Sequence, residues 1–331
     1  MNIKTNLKSL LAGAVALAGF AAVGVETTAK INMVKSGEPW TEVTVDYTLA
    51  GIRPGLAYKV AFDVTSRGVT RGVTNAAAKL ADGPASQTID VAALFNSPKP
   101  DPEAEFAVTV LAVKPKCVQL WEDGPYWAEC NLGATSPEES GYYFWWGDTV
   151  GYKRNAANDG WVSVKDGRSI EFSKTDPTAT QSYEKDNATL QAEGWIDASG
   201  NLMPEHDAAS VYLGGMWRMP TKDEIYGLVI NTTREWVDNY KGTGVSGCLV
   251  KGNGSFSAKS IFIPESGYGE GSSFLEFGMI GLFWASTPYT TPYGYYGYYL
   301  YSQSNGSYFY LSNYWNRCYG FPVRPVQGFA K

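Results

Sequence analysis

Histidine is almost missing from this chain: His206 is the only one among 331 residues. That excludes metal centres built from two or three histidines and iron facial triads, and any Ser-His-Asp triad would have to rest on this one residue. Charge is scarce as well, at 18% of residues with a net value of −6, and no run of Lys and Arg occurs. Without a basic stripe to track phosphates, nucleic acid is not an expected partner. The four cysteines, Cys117, Cys130, Cys248 and Cys318, include no C-x-x-C pair, which disfavours a redox motif. Beyond residue 25 no apolar run is long enough to span a bilayer.

What is present points outside the cytoplasm. Lys4 and Lys8 precede an apolar stretch over residues 10–25, followed by the small polar Glu26-Thr27-Thr28-Ala29. This is the order of a secretory leader, expected over residues 1–29 with cleavage after Ala29 or, alternatively, after Gly24. The apolar stretch is broken by Gly13, Gly19 and Gly24 and falls short of the roughly 20 residues of a membrane span. No cysteine follows it to carry a lipid. The mature chain is therefore expected to be secreted, at the cell surface or periplasmic, with no membrane span once the leader is removed. In that setting four cysteines allow two disulfides in three connectivities, and a Cys117–Cys130 bridge would add about 3 kcal/mol. Four free thiols are the other possibility.

Two textures divide the mature chain. Over residues 30–113 apolar side chains alternate with polar ones: Val43, Val45 and Tyr47; Tyr58, Val60, Phe62 and Val64; Ile89 and Val91; Phe106, Val108 and Val110. Period-two strands between turn-rich segments predict a small all-β, immunoglobulin-like sandwich. From residue 114 to 331 Trp and Gly become frequent, and short strands, long loops and two helices are expected. One helix is expected near residues 205–213, stopped by Gly214-Gly215. The other begins at Thr221-Lys222-Asp223-Glu224, a capping box behind Pro220, with Ile225, Leu228 and Val229 as its apolar face.

The second half carries short motifs in a definite order: Trp127-Ala128-Glu129-Cys130-Asn131-Leu132-Gly133-Ala134-Thr135, Gly141-Tyr142-Tyr143-Phe144-Trp145-Trp146-Gly147-Asp148-Thr149, and Trp217-Arg218-Met219-Pro220-Thr221 with Glu224. Then follow Ile261-Phe262-Ile263-Pro264 with Gly267-Tyr268, Phe283-Trp284-Ala285-Ser286-Thr287-Pro288, and Gly320-Phe321-Pro322-Val323-Arg324-Pro325-Val326. Together, over about residues 117–328, they resemble the Fibrobacter succinogenes major paralogous domain, a family of bacterial exported proteins. The resemblance implies an α+β, C-type-lectin-like domain, distantly akin to the formylglycine-generating enzyme (sulfatase-modifying factor) superfamily and to ligand-binding domains diversified by retroelements. Within the run, Trp217 would plug the core, Arg218 would pair with a nearby carboxylate and Arg324 would tie down the last strand.

The catalytic routes of that superfamily lack their parts here. Formylglycine-generating enzymes use two neighbouring cysteines near the C-terminal end, where Cys318 stands alone. The iron-dependent relatives need a histidine cluster. Calcium-dependent lectins use Glu-Pro-Asn or Gln-Pro-Asp and a Trp-Asn-Asp triplet, whereas Trp315-Asn316-Arg317 has no carboxylate for a hard cation. No catalytic residue, metal or cofactor is expected.

The functional candidate is a tyrosine-rich stretch. Residues 281–319 hold eleven of the 22 tyrosines, interleaved with Asn, Ser and Gly. That is the palette of antibody loops, with rigid amphipathic contact area supplied by Tyr and adaptable hydrogen bonding by the rest. The ligand-binding residues expected are Tyr289, Tyr293, Tyr295, Tyr296, Tyr298, Tyr308, Tyr310, Asn313, Tyr314, Trp315 and Asn316. Strand alternation puts Tyr298 and Leu300 on one side and Tyr299 and Tyr301 on the other. The competing reading is that these rings simply pack a small β-rich core. The expected function is an exported bacterial ligand-binding or adhesion-type protein with an extracellular glycan or protein partner. An extracellular enzyme on glycan or protein substrates and a retroelement-diversified receptor stay open. Glu138, Glu139 and Asp123 are the carboxylates for the enzyme reading, and His206 is expected as an exposed helix-end residue.

Overall fold

A computed structural model describes residues 27–36, 42–52, 57–76, 78–96, 104–291, 294–303, 308–313 and 315–328. The protein is mostly antiparallel β-sheet with a few short helices, and it divides after Lys114 into two compact units. Among the described residues no helix is long and apolar enough to cross a membrane.

In the first unit the alternating segments form strands as their pattern requires. Glu42–Ala50 buries Val43, Val45, Tyr47 and Leu49, and lies between Thr28–Ser36 and Gly83–Asp90. Ala57–Ser66 buries Val60, Phe62 and Val64 and pairs with Val69–Thr74, Ala78–Lys79 and Glu105–Val113. The inward residues of both sheets share one core, in which Tyr47 meets Phe62 edge to face at 5.3 Å. The segment Val91–Phe95 is a helix that the sequence reading does not contain, so Val91, read with Ile89 in the strand alternation, begins a helix instead. The Asp90 carboxylate caps it by accepting from the Ala93 amide at 2.8 Å. Most of the expected leader lies outside the described residues. Its last two residues, Thr28 and Ala29, pair with Ala50 and Leu49, so a cut after Gly24 leaves the first strand whole and a cut after Ala29 shortens it.

The second unit is a set of small antiparallel sheets closed by its own C-terminal segment. Phe321–Pro322 adds to Tyr143–Phe144, and Val326–Gln327 inserts between Trp217–Arg218 and Tyr126–Ala128. Arg324, fully buried, holds this return: it donates to Asn131 Oδ1 and to the carbonyls of Ala128, Glu129 and Phe262 at 2.7–3.1 Å. Trp217 is buried, and Arg218 grips Glu224 through two hydrogen bonds of 2.6 and 2.7 Å. Glu224 also closes the capping box of the helix Lys222–Asn231 with Thr221.

The other expected helix differs. Pro204–His206 is a short 3-10 turn, and the α-helix is only Ala208–Leu213, ended by Gly214. Asp207 separates them because its carboxylate caps the second segment, accepting from the Ser210 and Met219 amides at 2.8 Å each. A further helix, Asn187–Ala192, buries only Leu190 and so leaves no apolar period to read.

Burial pushes the Asp207 carboxyl up to about 6. The native state therefore holds this proton more tightly than the unfolded chain does, and stability falls as pH rises from about 4 to about 6, by up to about 3 kcal/mol. Urea midpoints of the second unit across that range should decline accordingly. Burial raises the Asp148 carboxyl to about 6 as well, with the same sign, so Asp207→Asn should remove only the Asp207 share of the decline and leave that of Asp148.

Candidate functional site

The tyrosine-rich stretch forms one three-stranded sheet from Ile280–Thr291, Gly294–Gln303 and Tyr308–Ser312. Its register decides which rings can meet a ligand. Phe283 opposes Leu300, which opposes Leu311, and Ser302 opposes Phe309. Phe283, Leu300 and Phe309 are buried in the core that the helix Lys222–Asn231 covers with Ile225 and Leu228. Tyr298 lies on this helix side, half-buried against that core, with the Lys222 ammonium 5.5 Å from its ring and Tyr289 at 5.3 Å.

The other face carries Tyr299, Tyr301, Tyr308 and Tyr310, since Tyr299 opposes Ser312, Tyr301 opposes Tyr310 and Gln303 opposes Tyr308. Tyr299 is buried, and its hydroxyl accepts from Ser312 Oγ at 2.8 Å. Trp315 stacks on it at 5.3 Å and 7°, and Tyr268 covers Trp315 at 4.4 Å. From there a band of rings runs outward: Trp315 to Tyr301 at 6.3 Å, Tyr301 to Tyr310 at 5.2 Å, Tyr310 to Tyr308 at 6.4 Å. Tyr319 joins it beside Trp315 and Tyr268 and donates to Glu270 Oε1 at 3.3 Å. Exposure rises along the band, reaching 41% at Tyr310 and 53% at Tyr308. Burial, followed by the nearby carboxylates Glu276 and Glu270, pushes the Tyr268 hydroxyl up to about 12. Burial and Glu276 also raise Tyr301.

The expected residues thus separate onto two faces. Tyr308, Tyr310 and Trp315 belong to the outer band, whereas Tyr289, Tyr296 and Tyr298 form their own aromatic contacts at the other end of the hairpin. Asn316 is spent on local structure, its side chain accepting from the Cys318 amide at 3.1 Å and its backbone bridging Tyr296. Asn313 and Tyr295 are half-buried. Tyr293 and Tyr314 lie outside the described residues. The band also recruits residues absent from the expected set: Tyr299 and Tyr301, whose places follow from their register with Ser312 and Tyr310, and Tyr268 and Tyr319, which only the tertiary fold brings in.

Arg317 fixes the far end of the hairpin. Its guanidinium is fully buried over the Trp146 ring at 4.7 Å and donates to Tyr296 O, Ser182 O and Lys185 O at 2.8–2.9 Å and to Thr290 Oγ1 at 3.3 Å. Burial lowers it to about 9.

The remaining candidates are taken up by their own turns or packing. Glu138 accepts from Ser136 Oγ at 2.7 Å, Glu139 accepts from the Thr135 amide at 2.6 Å, and Asp123 occupies a left-handed turn with φ 61°. A concavity of about 290 Å³ is lined by Tyr240 stacked on Phe262, by Lys241 and Lys259, and by one carboxylate, Glu129. His206 is not exposed as expected but half-buried, stacked on Trp195 at 4.0 Å, and burial lowers its affinity for a proton. The four cysteines are free thiols rather than two bridges. Cys248 sits in the sheet core, and burial raises the other three thiols as well.

Compared with known proteins, the chain matches no family model, no curated protein and no solved structure.

Proposed function

We propose that this is an exported, non-catalytic bacterial protein of the ligand-binding or adhesion type. In this reading a C-type-lectin-like unit follows an immunoglobulin-like sandwich along the chain and offers the Tyr/Asn-rich C-terminal surface to an extracellular glycan or protein. The small antiparallel sheets and short helices of the second unit support the α+β part of that assignment. The observation that carries the function is the graded aromatic band. Its inner rings are locked by stacking, so Tyr308 and Tyr310 are held out as rigid amphipathic contacts on a prepared base. Rigid aromatic anchors over a pre-organised support are what binding surfaces need, because little side-chain entropy is lost on contact.

Arrays of glycans, proteins and whole cells, probed with the purified chain, test this. Tyr308→Ala with Tyr310→Ala should weaken binding by about tenfold or more while the fold stays intact. Tyr289→Ala with Tyr296→Ala, at the opposite end of the hairpin, should change it little. Equal loss in both pairs, or none in the first, refutes the assignment of the surface.

A further inference from the structure

The two faces of the tyrosine sheet differ in charge. On the helix side the cation is supplied internally, by Lys222 over Tyr298. On the outer side the fixed charges acting on Tyr268, Tyr301 and Tyr319 are the carboxylates of Glu270 and Glu276. Arg154 reaches the nearby Phe274 ring at 5.7 Å, but its guanidinium is taken up by Asn158 and by the Ser272 carbonyl.

Glu276 is held in place at a backbone cost. It is one of the non-glycine residues in the left-handed region, with φ 51°, and its carbonyl accepts from the Met279 and Ile280 amides at 3.0 and 3.2 Å. The turn it opens hangs from the buried Glu265 carbonyl through the Gly278 amide at 3.0 Å, and it exposes Phe277 and Met279. Apolar contact area therefore lies next to an aromatic band and two carboxylates. A Lys or Arg side chain has matching parts: an aliphatic stem that packs on apolar surface and a cationic head that seeks carboxylates, phenol oxygens and π faces. A polyanion would be repelled. A flat pyranose would find no open indole here, because Trp315 is covered by Tyr299 on one side and Tyr268 on another.

We propose that the outer aromatic face between Glu270 and Glu276 binds a Lys- or Arg-bearing segment of another polypeptide. The proposal rests on the reading of this face as the ligand surface and names the chemistry of its ligand.

The test uses the full chain with a fluorescent deca-arginine peptide and, separately, with cellohexaose as a neutral glycan probe. Deca-arginine should bind, and its affinity should fall about tenfold or more between about 50 and 300 mM salt, as screening removes the carboxylate attraction. Glu270→Gln with Glu276→Gln should lower it by about tenfold as well, while the charge-matched control Glu122→Gln with Glu205→Gln, on exposed sites elsewhere, should leave it unchanged. Equal loss in the control would reduce the effect to bulk charge and overturn the proposal, as would absence of peptide binding at low salt. Binding of cellohexaose that depends on Tyr308 and Tyr310 but not on the two glutamates would overturn the cationic ligand and leave the surface standing. Deca-arginine binding that is indifferent to Tyr308 and Tyr310 would remove the surface itself.

Discussion

Replacing Arg317 by methionine should destabilise the second unit by about 2–4 kcal/mol, the cost of leaving buried acceptors without their donor. Among the described residues the guanidinium meets no carboxylate. It is solvated instead by three main-chain carbonyls and the Thr290 hydroxyl. Removing it relieves the cost of burying a charge, but it takes the guanidinium donor from the carbonyls of Tyr296 and Lys185 and leaves Ser182 O only the Lys185 amide at 3.3 Å, and each buried acceptor that loses its donor costs about 1–3 kcal/mol. Urea unfolding followed by near-UV circular dichroism reads this directly, because Trp146, on which the guanidinium lies, loses its asymmetric environment. Arg317→Lys should recover little, since one ammonium cannot reproduce a fork aimed at four acceptors. If both variants unfold at the same urea concentration as the parent, the hairpin is held by its ring packing alone.

Gly267→Ala should be as damaging, at about 3 kcal/mol, the sum of a left-handed alanine and an overpacked contact. Gly267 has φ 56°, and an added Cβ would stand 2.4 Å from the Leu275 carbonyl oxygen and 2.6 Å from the Phe277 amide nitrogen. Those are backbone atoms and cannot rotate away, so the turn bearing Glu276 must move. Gly271, in the same hairpin, gives the comparison: it has φ 57° and open space around the would-be Cβ. Gly271→Ala should therefore cost only the backbone term, about 1 kcal/mol. A gap of about 2 kcal/mol between the two variants in thermal or urea unfolding measures the close approach itself. Equal costs would mean that the turn yields freely, and Glu276 would then be poorly fixed for binding.

Much of the architecture could be read along the chain because its causes are local. Alternation at Val43, Val45, Tyr47 and Leu49 can bury only one face of a strand, and those residues are the buried ones. The Thr221–Glu224 capping box closes within four residues, and its helix begins there. Where a local signal competes with a longer-range one, the longer-range contact wins. The local pattern puts Asp207 inside a helix, but its carboxylate answers the Met219 amide twelve residues away and splits the segment in two. Asn187–Ala192 and Val91–Phe95 show the opposite case, since one buried residue in a helix of five or six leaves no period to detect.

The candidate site was legible only in composition. Abundance of Tyr, Asn and Gly between residues 281 and 319 marked the region, and strand parity alone placed Tyr299 and Tyr301 together and away from Leu300. Which ring is reachable is a matter of register and of what lies above it. Trp315 arrives from beyond the third strand to cover Tyr299, Tyr268 arrives from another hairpin to cover Trp315, and Tyr308 and Tyr310 remain at the exposed end. The two glutamates at its rim, like the Arg317 fork at the other end of the sheet, lie tens of residues or more from some of the groups they act on. By itself the sequence determined the strands, the capped helix and the aromatic palette, because neighbouring residues produce these. Only the tertiary structure decided which tyrosines are core, which are surface and what charge surrounds them, because burial and electrostatic field depend on segments that folding alone brings together.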